Sequence, residues 1–124
     1  MGKKDNYWII YTLRLEDDCW YVGSTTTRAF KDRMADHWKQ AGKGSNWTAL
    51  HKPIMVQDID VHDRNLSASE IARLEDKRTL ILAKSLGCQY VRGGGYCQSF
   101  PRWPSEVVDG KLNRGANTNM LLLQ

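Results

Sequence analysis

The sequence has few of the residues that crosslink small proteins or bind zinc, and no long apolar segment. Its three cysteines, Cys19, Cys88 and Cys97, are an odd number without a Cys-x-x-Cys pair, which argues against a disulfide framework and a zinc knuckle. No apolar run approaches the roughly 18 residues that a transmembrane helix needs. The first residues lack the pattern of a cleavable signal peptide. We therefore expect a reduced, intracellular protein with no membrane role.

Proline and glycine are also too scarce for a repetitive or low-complexity protein. Three prolines and ten glycines in 124 residues exclude collagen-like character. The hydrophobic fraction is 41% and the charged fraction is 26%, both ordinary for a globular protein. The length predicts one domain with a single core.

The positive charge is concentrated in one segment. The formal net charge is +4, and residues 25–52 contain six basic and two acidic residues, an excess equal to that of the whole chain. The segment also contains two histidines and two tryptophans, His37, His51, Trp38 and Trp47. Basic residues interleaved with aromatic ones are typical of nucleic-acid binding. The alternative is an ordinary solvated helix face.

The strand signals predict a small antiparallel sheet. Residues 7–13 and 19–22 are aromatic and β-branched, and the acidic run from Glu16 to Asp18 between them predicts a hairpin turn. Residues 54–61 change the phase of their apolar alternation, which predicts a third strand with a bulge or break near Gln57. Residues 43–48 are expected to form a polar loop or a single turn.

Two helices are expected to flank this sheet in an α+β sandwich. The first is predicted over residues 27–41, ending at Gly42, with Phe30, Met34, Trp38 and Ala41 on its core face. Arg33 and His37 lie four residues apart along the edge of that face.

The second helix begins at the capping box of Ser67 and Glu70 and ends at Gly87. Its apolar arc contains Ile71, Leu74, Ile81, Leu82 and Leu86. Two charged residues, Glu75 and Arg78, fall inside the same arc. Because an unpaired buried carboxylate is costly, Glu75 either pairs with Arg78, reaches the rim of the core, or has a function.

Four pieces follow one another in a distinctive order: Ile9-Ile10-Tyr11, Tyr21-Val22-Gly23, the pair Arg33 and His37, and Glu75. This order resembles the GIY-YIG endonuclease superfamily, with Ile9 where the family name has glycine. The resemblance covers residues 7–96, and the segments Gly42-Lys43-Gly44, His51-Lys52-Pro53 and Val91-Arg92-Gly93-Gly94 extend it toward small stand-alone, phage-like members. It implies a nuclease domain over residues 1–96 and an extension over residues 97–124, packed on the same domain.

The resemblance implies a metal-dependent DNA endonuclease with a catalytic set of Tyr11, Tyr21, Arg33, His37 and Glu75. Glu75 would hold one Mg²⁺ or Mn²⁺ ion, and Arg33 would stabilise the scissile phosphate. The general base is Tyr11 or His37. A free tyrosine has a pKa near 10, so its phenolate costs roughly 4 kcal/mol at pH 7, whereas an unperturbed histidine titrates closer to neutrality.

The position of the arginine has alternatives. Lys31 stands ten residues after Tyr21, the spacing of many members, and Arg28 is a further candidate. Arg33 is preferred because its spacing to His37 matches the arginine–histidine pair of the family.

The nucleic-acid-binding candidates are basic residues around this set: Lys31, Lys39, Lys43, His51, Lys52 and Arg92. The implied partner is DNA, with a homodimer or a second protein for double-strand cleavage, in the cytoplasm of a bacterial or phage-infected cell. Two alternatives remain. One is a nucleic-acid-binding module that keeps the fold without the chemistry, and the other is a structural domain in which Glu75 and Arg78 form an ion pair.

The glycine-rich segment from Val91 to Tyr96 is expected to be a loop. Such a loop can bring its backbone N–H groups close to a phosphate, although more often it only turns the chain.

Overall fold

The computed structural model describes residues 6–39, 45–97, 103, 104 and 107. Within these residues the chain forms four strands and three helices around one sheet. In chain order they are β1 (Trp8–Leu15), β2 (Trp20–Thr26), α1 (Phe30–Lys39), α2 (Asn46–Leu50), β3 (Pro53–His62), α3 (Ala68–Leu86) and β4 (Val91–Gly93). The strand order across the sheet is β3-β1-β2-β4.

The α+β class is confirmed, but the sheet has a fourth strand that the sequence did not predict. Strand β4 pairs in parallel with Trp20–Val22 of β2, whereas the other pairings are antiparallel. The prediction of a loop was wrong at Val91–Gly93. Three residues are too short to show an alternating pattern, so only the tertiary pairing reveals this strand.

The β1–β2 hairpin has the predicted turn. Asp17 and Asp18 both have positive φ angles, 63° and 60°, which match the right-handed twist of a tight hairpin and which aspartate tolerates. The resulting register places Tyr11 opposite Gly23. This pairing determines where the tyrosine ring lies on the sheet.

The irregularity predicted in the third strand is also confirmed. Thr12 pairs with Asp58 and Leu13 pairs with Val56, which leaves Gln57 without a partner on β1. The extra residue is a β-bulge and explains the change of phase in the sequence.

The predicted ends agree with the structure for α3 but not for the start of α1. α3 has the predicted capping box of Ser67 and Glu70 and ends at Gly87. α1 begins at Phe30 rather than near residue 27, because residues 27–29 form a turn. The predicted end at Gly42 lies outside the described residues. The short helix α2 is capped by Ser45, whose side chain accepts a hydrogen bond from the backbone N–H of Thr48.

The core lies on both faces of the sheet. On one face, Ile10 and Val22 pack against Leu82 and Leu86 of α3. On the other face, Ile9, Tyr11 and Leu13 pack against Phe30 and Met34 of α1. Tyr11 is therefore a core residue as well as a candidate catalytic one.

Two predicted core positions are more exposed than the helical pattern indicated. Trp38 is 36% exposed, whereas its neighbour His37 is completely buried. Ile81 of α3 is 48% exposed. In α1 the buried residue is His37, which contacts Tyr11 and Thr48, whereas Trp38 is at the surface.

Two residues of the predicted extension contact the core. Trp103 and Val107 are buried in the cluster between the sheet and α3. Residues 98–102, 105–106 and 108–124 lie outside the described part, so the boundary at residue 96 stays a prediction. In the described residues, no helix has the length and apolarity needed to cross a bilayer.

Candidate active site

Tyr11 forms the centre of a buried cluster of polar and aromatic side chains. It has no exposed surface, and its hydroxyl lies 2.9 Å from Nε2 of His37. Its ring packs edge-on against Phe30 and His37, with ring centres 6.2 and 5.8 Å apart. Burial raises the pKa of Tyr11 and Tyr21 raises it further, although Arg33 opposes both effects. The phenol is therefore protonated in the free protein.

The ring of Tyr11 needs a glycine on the neighbouring strand. A Cβ atom added to Gly23, its partner on β2, would overlap the hydroxyl and ring of Tyr11. Since Gly23 has no side chain, the phenol of Tyr11 can occupy this space.

Tyr21 and Arg33 complete the polar centre of the cluster. The Tyr21 ring lies 6.4 Å from the ring centre of Tyr11 and 5.1 Å from that of His37. The Arg33 side chain donates hydrogen bonds to the hydroxyls of both tyrosines. Burial raises the pKa of Tyr21 to about 12, partly offset by Arg33. Burial also opposes the charge of Arg33, but the two phenols outweigh this effect and its pKa is raised.

The structure separates the three basic candidates of the first helix. Arg33 is half-buried and contacts both tyrosines, whereas Lys31 and Arg28 are exposed. The structure therefore places Arg33 beside the tyrosines, and its catalytic role stays a prediction.

His37 is held on both sides of its ring. Nε2 faces the hydroxyl of Tyr11, and Nδ1 lies 3.0 Å from Oγ1 of Thr48 on α2. Burial lowers the pKa of His37 to about 4, and the positive charge of Arg33 contributes. The imidazole is therefore neutral at pH 7. A neutral imidazole next to a phenol is a potential acceptor for its proton.

Glu75 approaches the same cluster from α3. Its carboxylate accepts hydrogen bonds from the hydroxyl of Ser24 and the backbone N–H of Gly94. It is also close enough to Arg33 for the two charges to interact. Burial raises the pKa of Glu75, and Asp76 adds to this effect. The five predicted catalytic residues thus converge from β1, β2, α1 and α3.

The alternative ion pair between Glu75 and Arg78 is wrong. Arg78 instead pairs with Asp58, at 3.2 Å, and with Asp60, both on β3. Glu75 therefore points toward the tyrosines and the arginine for a reason other than pairing with its helix neighbour.

The surroundings of Glu75 fit a hard divalent cation. A half-buried carboxylate with a raised pKa gains from a nearby cation, because the cation favours its ionised form. Across the part of the chain that the structure describes, no group of three or more His, Cys, Asp or Glu side chains is arranged to hold a metal ion. Mg²⁺ commonly binds through one or two carboxylates together with water and phosphate oxygens.

The glycine-rich segment holds the acidic residues of α3. The N–H of Gly94 donates to Glu75, and the N–H of Gly95 donates to Oδ1 of Asp76 at 2.7 Å. Gly94 has a φ of 51°, and a Cβ there would overlap Asp76. These N–H groups therefore bind carboxylates, rather than the phosphate that the sequence suggested.

The predicted nucleic-acid-binding residues are spread around the site. Lys31 and Lys39 are exposed on α1, and Lys43 lies outside the described residues. His51 and Lys52 lie beside the hairpin turn, where Nδ1 of His51 is 3.0 Å from a carboxylate oxygen of Asp17. These two residues lie at the hairpin turn of the sheet, whereas Tyr11 is in the middle of β1.

Arg92 has a different environment from the other basic candidates. Its guanidinium donates to the backbone carbonyls of Cys88 and Val91. It also lies over the rings of Trp47 and Trp103, 4.4 and 5.8 Å from their centres. This placement indicates a packing role, so we do not include Arg92 in a proposed DNA surface.

Sequence reasoning missed three partners of the catalytic set. Ser24 binds Glu75, Thr48 binds His37, and the thiol of Cys97 lies near Tyr21 and Glu75. Burial raises the pKa of Cys97, which keeps the thiol protonated. Ser24 directly follows the Tyr21-Val22-Gly23 triplet, and this position next to the motif could have predicted it as a site residue. The other two contacts depend on how distant segments pack.

Comparisons with known proteins find no matching protein-family model, no matching curated protein and no matching solved structure. The resemblance to the GIY-YIG endonucleases therefore rests on the residues and their order, and the site geometry must be judged on its own chemistry.

Proposed function

We propose that this protein is a metal-dependent endonuclease that hydrolyses phosphodiester bonds of DNA. The observation that carries the proposal is the convergence of Tyr11, Tyr21, Arg33, His37 and Glu75 from four separate elements. Two phenols, a guanidinium, a neutral imidazole and a carboxylate provide a proton relay, a phosphate ligand and a cation ligand.

Tyr11 and His37 supply the proton relay. In the hydrolysis, the phenol oxygen takes a proton from the attacking water while the phenol proton passes to Nε2 of His37, 2.9 Å away. The low pKa of His37 makes it a weak acceptor in the free protein. An anionic phosphate bound beside Arg33 offsets the positive charge that helps to lower this pKa.

Arg33 and Tyr21 position the phosphate. A guanidinium has five N–H donors, so Arg33 can hold the two phenols and still donate to phosphate oxygens. Because the site is largely buried, these donors act in a medium of low dielectric constant. There they stabilise the charge that develops on the phosphate more strongly than water does.

Glu75 would hold the cation, with Ser24 and Gly94 orienting its carboxylate. A Mg²⁺ or Mn²⁺ ion there would polarise the phosphate and lower the pKa of a bound water. Glu75 reaches the cluster from α3, across the sheet from the helix that carries Arg33. The scissile phosphate would then lie between the arginine and the carboxylate.

A non-catalytic nucleic-acid-binding module is the second candidate. In the free protein Tyr11 is held protonated and His37 is a poor proton acceptor, which disfavours the proton transfer that hydrolysis needs. Such a module would keep the salt-dependent DNA binding expected from residues 25–52 without cutting.

The test is cleavage of supercoiled plasmid in Mg²⁺, in Mn²⁺ and in EDTA. The wild type is compared with Glu75→Gln and with Glu70→Gln, a matched control that loses the same charge on the same helix and retains a capping side chain. We expect metal-dependent nicking or linearisation by the wild type and by Glu70→Gln, and none by Glu75→Gln. Cleavage by Glu75→Gln at the wild-type rate would refute the metal-ligand assignment.

Binding of the same plasmid or of an oligonucleotide is measured in parallel. A folded wild type that binds DNA with a salt-dependent affinity, but cuts it in neither metal, would favour the binding module. A protein that neither binds nor cuts DNA would exclude both functions.

A further inference from the structure

The side chain of Thr48 lies at the end of the relay and is almost completely buried, with 1% of its surface exposed. Its hydroxyl contacts Nδ1 of His37 at 3.0 Å, although the two residues are eleven positions apart in the chain. Thr48 also forms part of the capping box of α2, so its rotamer is constrained by the backbone of Ser45. A side chain held in this way presents a fixed partner to the imidazole.

The hydrogen bonds at Tyr11 indicate which ring nitrogen of His37 is unprotonated. A neutral imidazole has one N–H and one acceptor nitrogen. The Arg33 side chain can only donate, so its bond to the Tyr11 oxygen uses a lone pair of that oxygen. The phenol proton is then available to Nε2 at 2.9 Å. The opposite tautomer would direct an N–H at this phenol and leave the buried phenol proton without His37 as its acceptor, a costly arrangement.

The hydrogen bonds at Thr48 agree with this assignment. Its Oγ1 lies 3.2 Å from the carbonyl oxygen of Ser45, which can only accept, and so the hydroxyl proton has a place there. Oγ1 also accepts from the backbone N–H of Ser45 at 3.2 Å. Oγ1 also lies 3.0 Å from Nδ1 of His37, where it can accept a hydrogen bond from an Nδ1–H. The Ser45 hydroxyl, 3.1 Å from Oγ1, is either a donor or an acceptor.

We propose that Thr48 is a positioning residue that holds His37 in the tautomer protonated on Nδ1, so that Nε2 can accept the proton of Tyr11. Hydrogen bonds then run in one direction from Arg33 through Tyr11, His37 and Thr48 to the carbonyl of Ser45. The consequence for catalysis rests on the proposed nuclease function, whereas the tautomer is a property of the protein alone.

The tautomer is measured by nitrogen-15 NMR of the imidazole rings at pH 7. The chain has three histidines, and His37→Gln identifies the signals of His37. We expect Nδ1 of His37 to be protonated and Nε2 to be unprotonated in the wild type. A wild-type spectrum that shows the proton on Nε2 would overturn the proposal without any variant.

Three variants separate the role of the hydroxyl from the role of the cap. Thr48→Val keeps the shape of the side chain and removes the hydroxyl, and we expect a mixture of tautomers and a fall in kcat of roughly ten-fold or more. Thr48→Ser keeps the hydroxyl and should restore both the Nδ1 tautomer and the wild-type kcat. Ser45→Ala removes the side chain of the cap but retains Oγ1 of Thr48, so the Nδ1 tautomer should persist. Thr48→Ala serves in place of Thr48→Val if the valine variant does not fold.

The outcomes distinguish this proposal from the proposed function. Loss of the Nδ1 tautomer in Thr48→Val, with no DNA cleavage by any form, supports the proposal and contradicts the nuclease. A folded Thr48→Val that retains the wild-type tautomer overturns the proposal, even if the wild type cuts DNA.

Discussion

The buried histidine makes the stability of the protein depend on pH in a defined direction. His37 has a pKa of about 4 in the folded protein, against an ordinary value of 6.5. The neutral ring is favoured in the folded state, so its contribution to stability is fully present above pH 6.5. That contribution is lost as the pH falls from 6.5 toward 4, because the unfolded chain binds the proton first.

The magnitude follows from the two pKa values. The whole difference between 6.5 and about 4 is worth about 3 kcal/mol, and about 2 kcal/mol of it is lost at pH 5. For a domain of this length, about 2 kcal/mol lowers the melting temperature by roughly 6–10 °C. A loss of about 2 kcal/mol is a large share of the free energy of unfolding of an ordinary domain.

The assay is urea unfolding of the wild type and of His37→Gln between pH 7 and pH 4.5. Carboxylates titrate in the same window, so the informative quantity is the difference between the two proteins at each pH. His62→Gln on β3 is the matched control. We expect His37→Gln to be less stable than the wild type at pH 7 and to approach it at low pH. A difference that stays constant across this range would refute the assigned pKa and the neutral buried ring.

Four further substitutions test other parts of the structure. Gly23→Ala should cost about 1–3 kcal/mol in urea unfolding and abolish cleavage, because its Cβ displaces the hydroxyl of Tyr11. Gly94→Ala should cost about 1–2 kcal/mol and weaken cleavage, since alanine disfavours a φ of 51° and meets Asp76. Arg78→Met should cost about 1 kcal/mol at low salt and less in 1 M NaCl, since its ion pairs with Asp58 and Asp60 are partly exposed. Ser67→Ala should cost about 1 kcal/mol through the cap of α3 and leave cleavage unchanged; a loss of cleavage there would contradict a purely structural cap.

Structural features that depend on residues close together in the sequence were predictable. The hairpin followed from two β-branched runs around an acidic turn, and the bulge at Gln57 from a change of phase in apolar residues. The ends of α3 followed from Ser67, Glu70 and Gly87. In each case the sequence pattern reflects a local preference for a turn, a helix cap or burial of one strand face, and this preference acts within a few residues.

The candidate site shows the limit of such reasoning. Its five residues were identified by their order along the chain, and the structure brings them together, while their catalytic role stays a prediction. The contacts that these residues make could not be predicted from the sequence. The helical pattern placed Trp38 in the core and His37 at its edge. In the structure His37 is the buried residue, and two hydroxyls distant in the chain contact both nitrogens of its imidazole.

The sequence by itself determined the class of fold, the hairpin and the ends of α3. Local preferences and the spacing of apolar residues are sufficient to specify these features. Tertiary structure alone decided that Val91–Gly93 would pair with β2, that Arg78 would pair with β3 rather than with Glu75, and that Thr48 would contact His37. Each of these contacts joins segments far apart in the chain, and its energy exists only once the sheet and helices have packed together.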